Sequence, residues 1–258
     1  MQNLPGRSTA MSREDERRHT GARKSRCVWG ELMSNENKQI VIYGAGGFAR
    51  EVAWLAESCS SDVQRYEVVG FIDDNATAYG RKLNDVPVMS LVTAYERFPD
   101  ALVIGGIGAP HLRQRVMEKA VARGFAVATL VHPHTAYSRW VTIGTGTVIC
   151  VGCTITTNIT LGQHVQINLD CTIGHDVVMD DYVTLAPGVH VSGQVRLGKR
   201  VYVGTGAVII NGTEAEPLII EDDVTIGAGA CVTRSVFRGE TVVGVPAKPM
   251  LKTTARAA

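Results

Sequence analysis

The sequence lacks any hydrophobic run close to the roughly 18 residues that a membrane-spanning helix requires. It also lacks an excess of charge of either sign, since 26 Lys and Arg against 25 Asp and Glu leave a formal net charge of +1. A nearly neutral chain gives no electrostatic reason to expect nucleic acid or an anionic membrane as the main partner. We therefore predict no nucleic-acid partner and no membrane partner.

The N-terminal segment lacks the hydrophobic stretch of a secretory signal. An organellar presequence would be poor in acidic residues, whereas Arg13-Glu-Asp-Glu-Arg-Arg18 is rich in them. Residues 1–36 are predicted to be a disordered or spurious tail. Met33 stands just before the first strand pattern and is a candidate for the natural start, which would leave residues 1–32 upstream of it. Residues 251–258 are predicted to be a C-terminal tail, and the cytoplasm is the expected compartment.

Complete metal-ligand patterns are also missing. Among six cysteines, only Cys150 and Cys153 have a spacing typical of half a zinc site, and no second pair of Cys or His completes it. Cys153 and Cys171 occupy core positions of the repeat described next. We predict buried structural thiols and no metal site.

A repeat of six residues runs through the second half of the chain. Large aliphatic residues recur at every sixth position, at Ile143, Ile149, Ile155, Leu161, Ile167, Ile173, Met179, Leu185, Val191, Leu197, Val203 and Ile209. Small or β-branched residues follow most of these by four positions, as Cys153 follows Ile149. Because both offsets are even, both sets point to one face of an extended chain, whereas a helix would scatter them.

Glycine marks the predicted corners of this repeat. It follows the aliphatic residue at Gly144, Gly162, Gly174, Gly198, Gly204 and Gly227, where we expect the chain to turn sharply. Short strands and corners in repetition predict a solenoid whose stacked coils bury one continuous core. The period breaks at residues 211–217 and resumes at Ile220, which predicts a loop at one corner.

The preceding part of the chain alternates strands with helices. Predicted strands cover residues 39–43, 67–72, 101–104 and 126–131, and predicted helices cover residues 50–57 and 111–123. This alternation is typical of a parallel sheet that binds its ligand at the carboxyl ends of the strands. We predict a small Rossmann-like α/β domain over residues 37–132 and a β-helix domain over residues 133–250.

The loops that follow these strands form a candidate ligand pocket. They contain Gly44, Gly46, Gly47 and Phe48 after the first strand, Asp73 and Asp74 after the second, and Gly108 after the third. The glycine turn fits a dinucleotide fingerprint, but about 95 residues are too few for two mononucleotide halves. A pocket for a sugar nucleotide is the better interpretation. An NAD site, and glycines that serve only strand–helix packing, are the alternatives.

Three segments carry a resemblance to a known family. IVIYGAGGFAREV at residues 40–52, the junction Leu130-Val-His-Pro133 and the closing segment Val243-Gly-Val-Pro-Ala-Lys248 resemble bacterial sugar acetyltransferases. This family includes sialic acid O-acetyltransferases and nucleotide-amino-sugar N-acetyltransferases, and the resemblance covers residues 38–250. It implies a left-handed parallel β-helix of hexapeptide repeats with three hexads per coil. It also implies acetyl-CoA as co-substrate, a sugar nucleotide as acceptor, and a homotrimer with active sites between subunits.

Acyl transfer needs a base that removes a proton from the attacking group. His175 lies two residues past the core position Ile173, and Asp176 follows it. The resemblance implies His175 as the base and Asp176, where the family has Glu, as the residue that holds its tautomer. An exposed turn pair without a role is the alternative.

The other histidines receive different predictions. His111 is expected beside the glycine loop, within reach of the sugar nucleotide. His132 and His134 are expected to cap the domain junction, and His164 and His190 are expected to be solvated on the outside of the coils.

The resemblance also implies a set of acetyl-CoA contacts. These are Thr184 (where the family has His), Gly193, Thr205, Ala228 and Lys248. Lys248 would pair with a CoA phosphate, or would be a solvated surface lysine. A backbone N–H at a coil corner would stabilise the charge that develops on the thioester oxygen.

The sequence therefore predicts an acetyltransferase that acts on an amino group of a nucleotide-linked sugar in glycan or polysaccharide biosynthesis. One alternative is O-acetylation of sialic acid or a similar sugar hydroxyl. Alternatives of other classes are a non-catalytic scaffold that binds sugar nucleotides and an NAD-dependent oxidoreductase.

Overall fold

The computed structural model describes residues 36–61 and 64–250. The predictions for the two tails fall on residues outside these ranges, except that Glu36 begins the first strand. The first part is an α/β domain with β1 (Glu36–Tyr43), α1 (Gly47–Ser58), β2 (Gln64–Ile72), a 3₁₀ helix (Ala76–Ala78), β3 (Lys82–Leu83), β4 (Val86–Met89), α2 (Leu91–Arg97), β5 (Leu102–Gly105), α3 (Pro110–Arg123) and β6 (Ala126–Val127). The predicted alternation of strands and helices is confirmed.

The strands of this domain form one sheet in the order β3-β4-β2-β1-β5-β6. All its neighbouring strands are parallel except β3 and β4, which form a hairpin. The centre of β1 is fully buried because helices cover both faces of the sheet. Side chains of α1 pack against Ile40 and Ile42, while those of α2 and α3 pack against Val41 and Tyr43.

The structure adds a hairpin and a helix in the middle of this domain and corrects one predicted strand at its end. The hairpin and α2 were not predicted, because these short elements lack a clear hydrophobic period. The predicted strand at residues 126–131 is two strands, and its second half, Leu130–Val131, pairs with Val148 and Ile149 in the next domain. The first coil of the β-helix therefore begins before the predicted junction.

The β-helix consists of very short strands. They are β7 (Leu130–Val131), β8 (Ala136–Tyr137), β9 (Val141–Ile143), β10 (Val148–Ile149), β11 (Thr154–Ile155), β12 (Ile159–Leu161), β13 (Gln166–Ile167), β14 (Thr172–Ile173), β15 (Val178–Met179), β16 (Thr184–Leu185), β17 (His190–Val191), β18 (Val195–Leu197), β19 (Tyr202–Val203), β20 (Val208–Ile209), β21 (Leu218–Ile220), β22 (Thr225–Ile226), β23 (Cys231–Val232), β24 (Thr241–Val243) and β25 (Lys248–Pro249).

These strands form three sheets that run along the solenoid. The first side contains β7, β10, β13, β16, β19, β22, β24 and β25, the second side β8, β11, β14, β17, β20 and β23, and the third side β9, β12, β15, β18 and β21. Parallel partners such as Thr154 and Thr172 are 18 residues apart, so each coil contains three hexads. The fold is a left-handed β-helix, as predicted.

The hexad aliphatic residues form its core. Eleven of the twelve, from Ile149 to Ile209, are at most 2% exposed, and Ile143 is half-buried at the first coils. Each coil buries its aliphatic face against its neighbours, so the stack has one continuous hydrophobic core.

The corners of the coils also repeat. A left-handed backbone conformation, with φ between +55° and +82°, recurs at every sixth residue from Gly146 to Gly206. These turns lie two residues after the glycines that we predicted to form the corners. A Cβ on Gly174 would lie 2.7 Å from the backbone nitrogen of Gly193 in the next coil. Glycine is needed there because neighbouring coils approach closely, and the sharp turn itself falls on Asp176.

No helix of the described ranges is long and apolar enough to cross a membrane.

Candidate active site

A pocket of about 400 Å³ lies where β1, β2 and β5 end. It is lined by all seven residues predicted to contact the nucleotide sugar, namely Gly44, Gly46, Gly47, Phe48, Asp73, Asp74 and Gly108. Sequence reasoning missed its cation, Arg115, which lies on α3 with Leu112 and Val116. The spacing of these three residues, which places them on one face of a helix, was the signal available.

Two glycines of the pocket have different structural roles. Gly44 has φ +127°, and a Cβ there would lie 2.8 Å from the carbonyl oxygen of Gly106. Gly46 has an ordinary backbone conformation, and a Cβ there would have no atom within 4 Å. Gly44 is therefore required by the backbone, whereas the missing side chain of Gly46 leaves space in the pocket.

The N-terminus of α1 points toward this space. The helix begins at Gly47, and its N-cap residue Gly46 provides no side-chain acceptor for the first amide N–H groups. Free N–H groups and the helix dipole favour a bound anion at such a position. With Arg115 nearby, the pocket suits the phosphates of a nucleotide.

Asp74 is held firmly within the pocket. Its Oδ1 accepts a hydrogen bond from the Tyr43 hydroxyl at 2.6 Å, and its Oδ2 accepts one from Lys119 Nζ at 2.5 Å. Desolvation alone would raise the pKa of Asp74, but the hydrogen bonds from Lys119 and Tyr43 outweigh it and lower this pKa. Asp73 instead accepts from the backbone N–H of Asn75 at 2.8 Å. Asp74 is therefore ionised and fixed in place.

The predicted catalytic pair lies on the β-helix, at the corner between the second and third sides. His175 Nδ1 is 2.7 Å from Asp176 Oδ2, and the histidine side chain is 62% exposed. When Nδ1–H donates to the carboxylate, Nε2 presents its lone pair to solvent. This geometry suits a general base.

Two amide side chains hold the Asp176 carboxylate from the coils on either side. Gln194 Nε2 donates to Asp176 Oδ2 at 3.2 Å, and the Asn158 side chain is also hydrogen-bonded to Asp176. The hydrogen bond with His175 is the main reason that the pKa of Asp176 is lowered; desolvation opposes it, and Asn158 and Gln194 reinforce it. Sequence reasoning missed both amides, although their spacing of 18 residues from Asp176 would have revealed them.

Gly193 lies directly beside the imidazole. A Cβ on Gly193 would be 2.6 Å from both Cε1 and Nε2 of His175. Any larger residue would push the imidazole from its position. The structure therefore places this predicted acetyl-CoA residue next to the catalytic pair.

Other predicted acetyl-CoA residues lie elsewhere on the chain. Thr205 and Ala228 are exposed and occupy successive coils at the corner between the first and second sides, where Gly229 N–H donates to the Thr205 carbonyl at 2.9 Å. Lys248 is exposed on β25. Within one chain these residues do not share a corner with His175.

The burial of Thr184 contradicts its predicted contact with acetyl-CoA. Its side chain is 1% exposed, and its hydroxyl donates to the Gly108 carbonyl at 2.8 Å and accepts from Arg113 Nη1 at 2.9 Å. The α/β domain covers this position on the first side, so the side chain has no surface left for acetyl-CoA.

At the junction, His132 Nδ1 accepts a hydrogen bond from the His134 backbone N–H at 3.1 Å, which agrees with a capping role for His132. His190 is exposed, also as predicted, with its Nδ1 2.7 Å from the Thr172 hydroxyl.

The predictions for two other histidines are wrong. His111 does not line the pocket, because its Nε2 faces Asp223 of the β-helix at 3.0 Å. His164 is 6% exposed rather than solvated, and its ring stacks on Tyr182 with centroids 4.8 Å apart. Both errors have one cause: the α/β domain covers this edge of the β-helix, and a hexad pattern carries no information about that contact.

Cys150, Cys153 and Cys171 are buried free thiols, as predicted. Across the described ranges, no cluster of three or more His, Cys, Asp or Glu is placed to hold a metal ion.

The pocket and the predicted catalytic pair lie on opposite sides of the β-helix. The pocket loop is attached to the first side, where Gly108 bonds Thr184. His175 occupies the corner between the other two sides. In a single chain, the body of the β-helix therefore separates the two.

Comparison with known proteins agrees with this architecture. Residues 39–120 match the family model of the PglD N-terminal domain. The GDP-perosamine N-acetyltransferase of Escherichia coli O157:H7 is 35% identical over 216 residues, which cover 81% of this chain and 95% of that protein.

Solved structures are similar over the same region. WeeI from Acinetobacter baumannii AYE has a TM-score of 0.75 and 34% identity, and the match covers 83% of this chain and 100% of that one. The acetyltransferase domain of PglB from Neisseria gonorrhoeae FA1090, in complex with acetyl coenzyme A, has a TM-score of 0.73 and 30% identity over 83% and 100% of the two chains.

An α/β pocket domain joined to a left-handed β-helix with an exposed His–Asp pair defines an acetyltransferase of the hexapeptide-repeat class. Within this class, the chain belongs to the family of sugar N-acetyltransferases.

Proposed function

We propose that the protein transfers an acetyl group from acetyl-CoA to an amine on a nucleotide-linked amino sugar. The observation that carries this proposal is the His175–Asp176 pair, in which the carboxylate holds Nδ1 and leaves Nε2 exposed. The N-acetyltransferase activity named for the 35% identical relative supports an amine as the acceptor. A pathway of glycan or polysaccharide biosynthesis in the cytoplasm would supply such a substrate.

In the proposed reaction, the acceptor amine attacks the thioester carbonyl while His175 Nε2 removes its proton. The carbonyl oxygen gains negative charge, and a backbone N–H at a coil corner would stabilise it. The C–S bond then breaks, and the CoA thiolate takes the proton from the imidazolium. Asp176 stays ionised throughout and stabilises the positive imidazolium.

The proposed binding sites divide between the domains. The pocket lined by Gly46 and Asp74 would hold the nucleotide, with its phosphates at the N-terminus of α1. Gly193, Thr205, Ala228 and Lys248 would contact acetyl-CoA.

The proposed assembly is a homotrimer. His175 and the pocket lie on opposite sides of one β-helix, so a neighbouring subunit would bring its pocket to this histidine. Thr205 and Ala228, at a different corner from His175, would likewise complete the acetyl-CoA site of a neighbouring subunit.

An acceptor screen tests the reaction. Purified protein is given acetyl-CoA and a panel of UDP- and GDP-linked sugars in matched pairs that carry an amino group or a hydroxyl at the same carbon. We expect thiol release only with amino sugars, and a product heavier by one acetyl group. Preference for the hydroxyl partners would favour O-acetylation, and thiol release with no member of the panel would favour a binding scaffold.

Co-expression of two impaired variants tests the assembly at an acceptor concentration well below KM. One variant is His175→Ala, which lowers kcat, and the other is Gly46→Val, which fills the pocket and raises KM. Mixed trimers would contain some sites with an intact pocket and an intact histidine, so their activity should exceed that of either variant alone. Activity no higher than the average of the two variants would contradict a site shared between subunits.

A further inference from the structure

Three buried side chains connect the pocket to the β-helix. Arg113 on α3, Gln166 on β13 and Thr184 on β16 together form what we call the docking cluster. Arg113 Nη1 donates to Gln166 Oε1 at 2.7 Å and to Thr184 Oγ1 at 2.9 Å, so the cluster is directly linked.

The docking cluster forms hydrogen bonds with most of the carbonyl groups of the pocket loop at residues 105–108. Gln166 Nε2 donates to the carbonyl of Gly105 at 2.8 Å. Arg113 Nη1 lies within hydrogen-bond distance of those of Ile107 and Gly108, at 2.9 and 3.1 Å, so its two N–H groups are shared between these carbonyls and the cluster's side chains. The Thr184 hydroxyl donates to Gly108 at 2.8 Å. Loop 105–108 is therefore fixed by side chains that belong to neighbouring elements.

The other side of the Arg113 guanidinium bonds the β-helix backbone. It donates to the carbonyls of His164 at 3.2 Å, Tyr182 at 2.8 Å and Val183 at 3.3 Å. Across residues 36–61 and 64–250, no carboxylate forms an ion pair with it, and burial lowers its pKa to about 9. A buried charge that only carbonyl and side-chain dipoles stabilise is very sensitive to their position.

The same loop forms part of the pocket. Gly106, Ile107 and Gly108 line it, and Gly106 packs so tightly that a Cβ would lie 2.6 Å from Ile42 and 2.8 Å from Ala49. Because the loop is pressed against β1 and α1 on one side, its position depends on the docking cluster on the other.

We propose that Arg113, Gln166 and Thr184 are positioning residues that hold loop 105–108 in the shape that binds the nucleotide of the acceptor. Thr184 thus serves the acceptor pocket from behind and does not touch acetyl-CoA. This inference rests on the proposed function in one respect, that the pocket holds a nucleotide.

Thr184→Val is the main test, because valine keeps the shape of threonine and removes the hydroxyl. Loss of the hydrogen bond to Gly108 should weaken nucleotide binding by about five- to tenfold, in line with one buried hydrogen bond. Binding is measured by calorimetry with GDP and UDP as probes, so no turnover is needed. With an active acceptor, KM for that acceptor should rise while KM for acetyl-CoA stays the same.

Two further variants control this test. Thr184→Ser keeps the hydroxyl and should restore most of the nucleotide affinity. Thr147→Val also removes a buried hydroxyl, one that donates to the Gly162 carbonyl of the β-helix at 3.2 Å. It should lower the thermal midpoint about as much as Thr184→Val does and leave nucleotide binding unchanged.

Several results would overturn the inference. A rise in KM for acetyl-CoA alone in Thr184→Val would return this residue to the acetyl-CoA site. Unchanged nucleotide affinity in Thr184→Val, or an equal loss of affinity in Thr147→Val, would mean that Thr184 has a purely structural role. If the wild-type protein bound neither GDP nor UDP, the assumption that the pocket holds a nucleotide would be wrong. Binding without any acetyl transfer would contradict only the proposed function, because the positioning test would still stand.

Discussion

The pocket of the α/β domain and the His175 corner are built in different ways. The pocket is formed by loops after three strands that are far apart in sequence, two of them rich in glycine and the third carrying Asp73 and Asp74. The His175 corner is made of side chains, and Asn158, Asp176 and Gln194 align there because each coil repeats after 18 residues. Local repetition places the His175–Asp176 pair, whereas long-range packing shapes the pocket.

This difference implies that binding and chemistry respond separately to substitution. Changes at the corner should lower kcat, because they move the base relative to the reacting amine. Changes in the pocket should raise KM for the acceptor, because they alter the space or the loops that hold it. The following variants test this separation.

The largest effect is expected at the corner. His175→Ala removes the base, and general-base catalysis is worth about 10²- to 10⁴-fold, so kcat should fall by that factor. The dissociation constant of acetyl-CoA, measured by calorimetry, should change little. Turnover within a few-fold of wild type would show that another group takes the proton.

The next effect concerns stability where the two domains meet. Burial, reinforced by the charge of Arg113, lowers the pKa of His164 to about 4. The unfolded chain binds a proton at this residue below about pH 6.5, whereas the folded chain does not until about pH 4. Stability should therefore fall by about 3 kcal/mol as the pH drops through this window, with no contribution above it.

Denaturant unfolding at several pH values measures the slope of the unfolding free energy against pH. His164→Asn should flatten the curve between about pH 6.5 and pH 4, whatever its effect on stability at neutral pH. Asparagine accepts the left-handed backbone that His164 adopts, at φ +55°. His190→Asn, which removes an exposed imidazole, is the control and should keep the wild-type slope. An unchanged slope in His164→Asn would show that this imidazole is not the source.

A single methyl group tests the corner more finely. In Gly193→Ala, the new Cβ would overlap the imidazole, which can move because it is exposed. We expect kcat to fall about tenfold, with stability within about 0.5 kcal/mol of wild type. Unchanged kcat would mean that the reaction does not depend on the His175 position seen here. A large loss of stability would mean that the new Cβ displaces the backbone of the coil and not the imidazole.

The corresponding test in the pocket is Gly46→Val. The new side chain would enter open space, so the fold should be unaffected, while KM for the acceptor should rise about tenfold as the pocket fills. Gly44→Ala is the contrasting variant. Its Cβ meets backbone, so it should lower stability by about 2 kcal/mol. Reduced kcat with unchanged KM in Gly46→Val would break the separation of binding from chemistry.

Local patterns predicted much of this architecture. The recurrence of aliphatic residues at every sixth position predicted the coils, and all seven predicted pocket residues are among the fifteen that line the pocket. The His175–Asp176 pair could also be predicted from the sequence, because adjacent residues at a corner lie close together.

The contacts between the domains could not be predicted in this way. Thr184 and His164 belong to ordinary hexads, and only the packing of α3 against the first side buries them. Arg113 looks like any polar residue of an amphipathic helix until the carbonyls that surround it are known. Such contacts depend on how two domains are placed, which no period within either domain encodes.

The left-handed turn at every sixth residue has a consequence for how active sites arise on this fold. Each corner presents the same backbone shape, yet Asn158, Asp176 and Gln194 show that residues of different chemistry are accommodated in one column. A new set of interacting groups therefore requires only point substitutions 18 residues apart, with no change in chain path. A solenoid of this kind offers many equivalent places to assemble a reaction, and its coils need not be redesigned for each one.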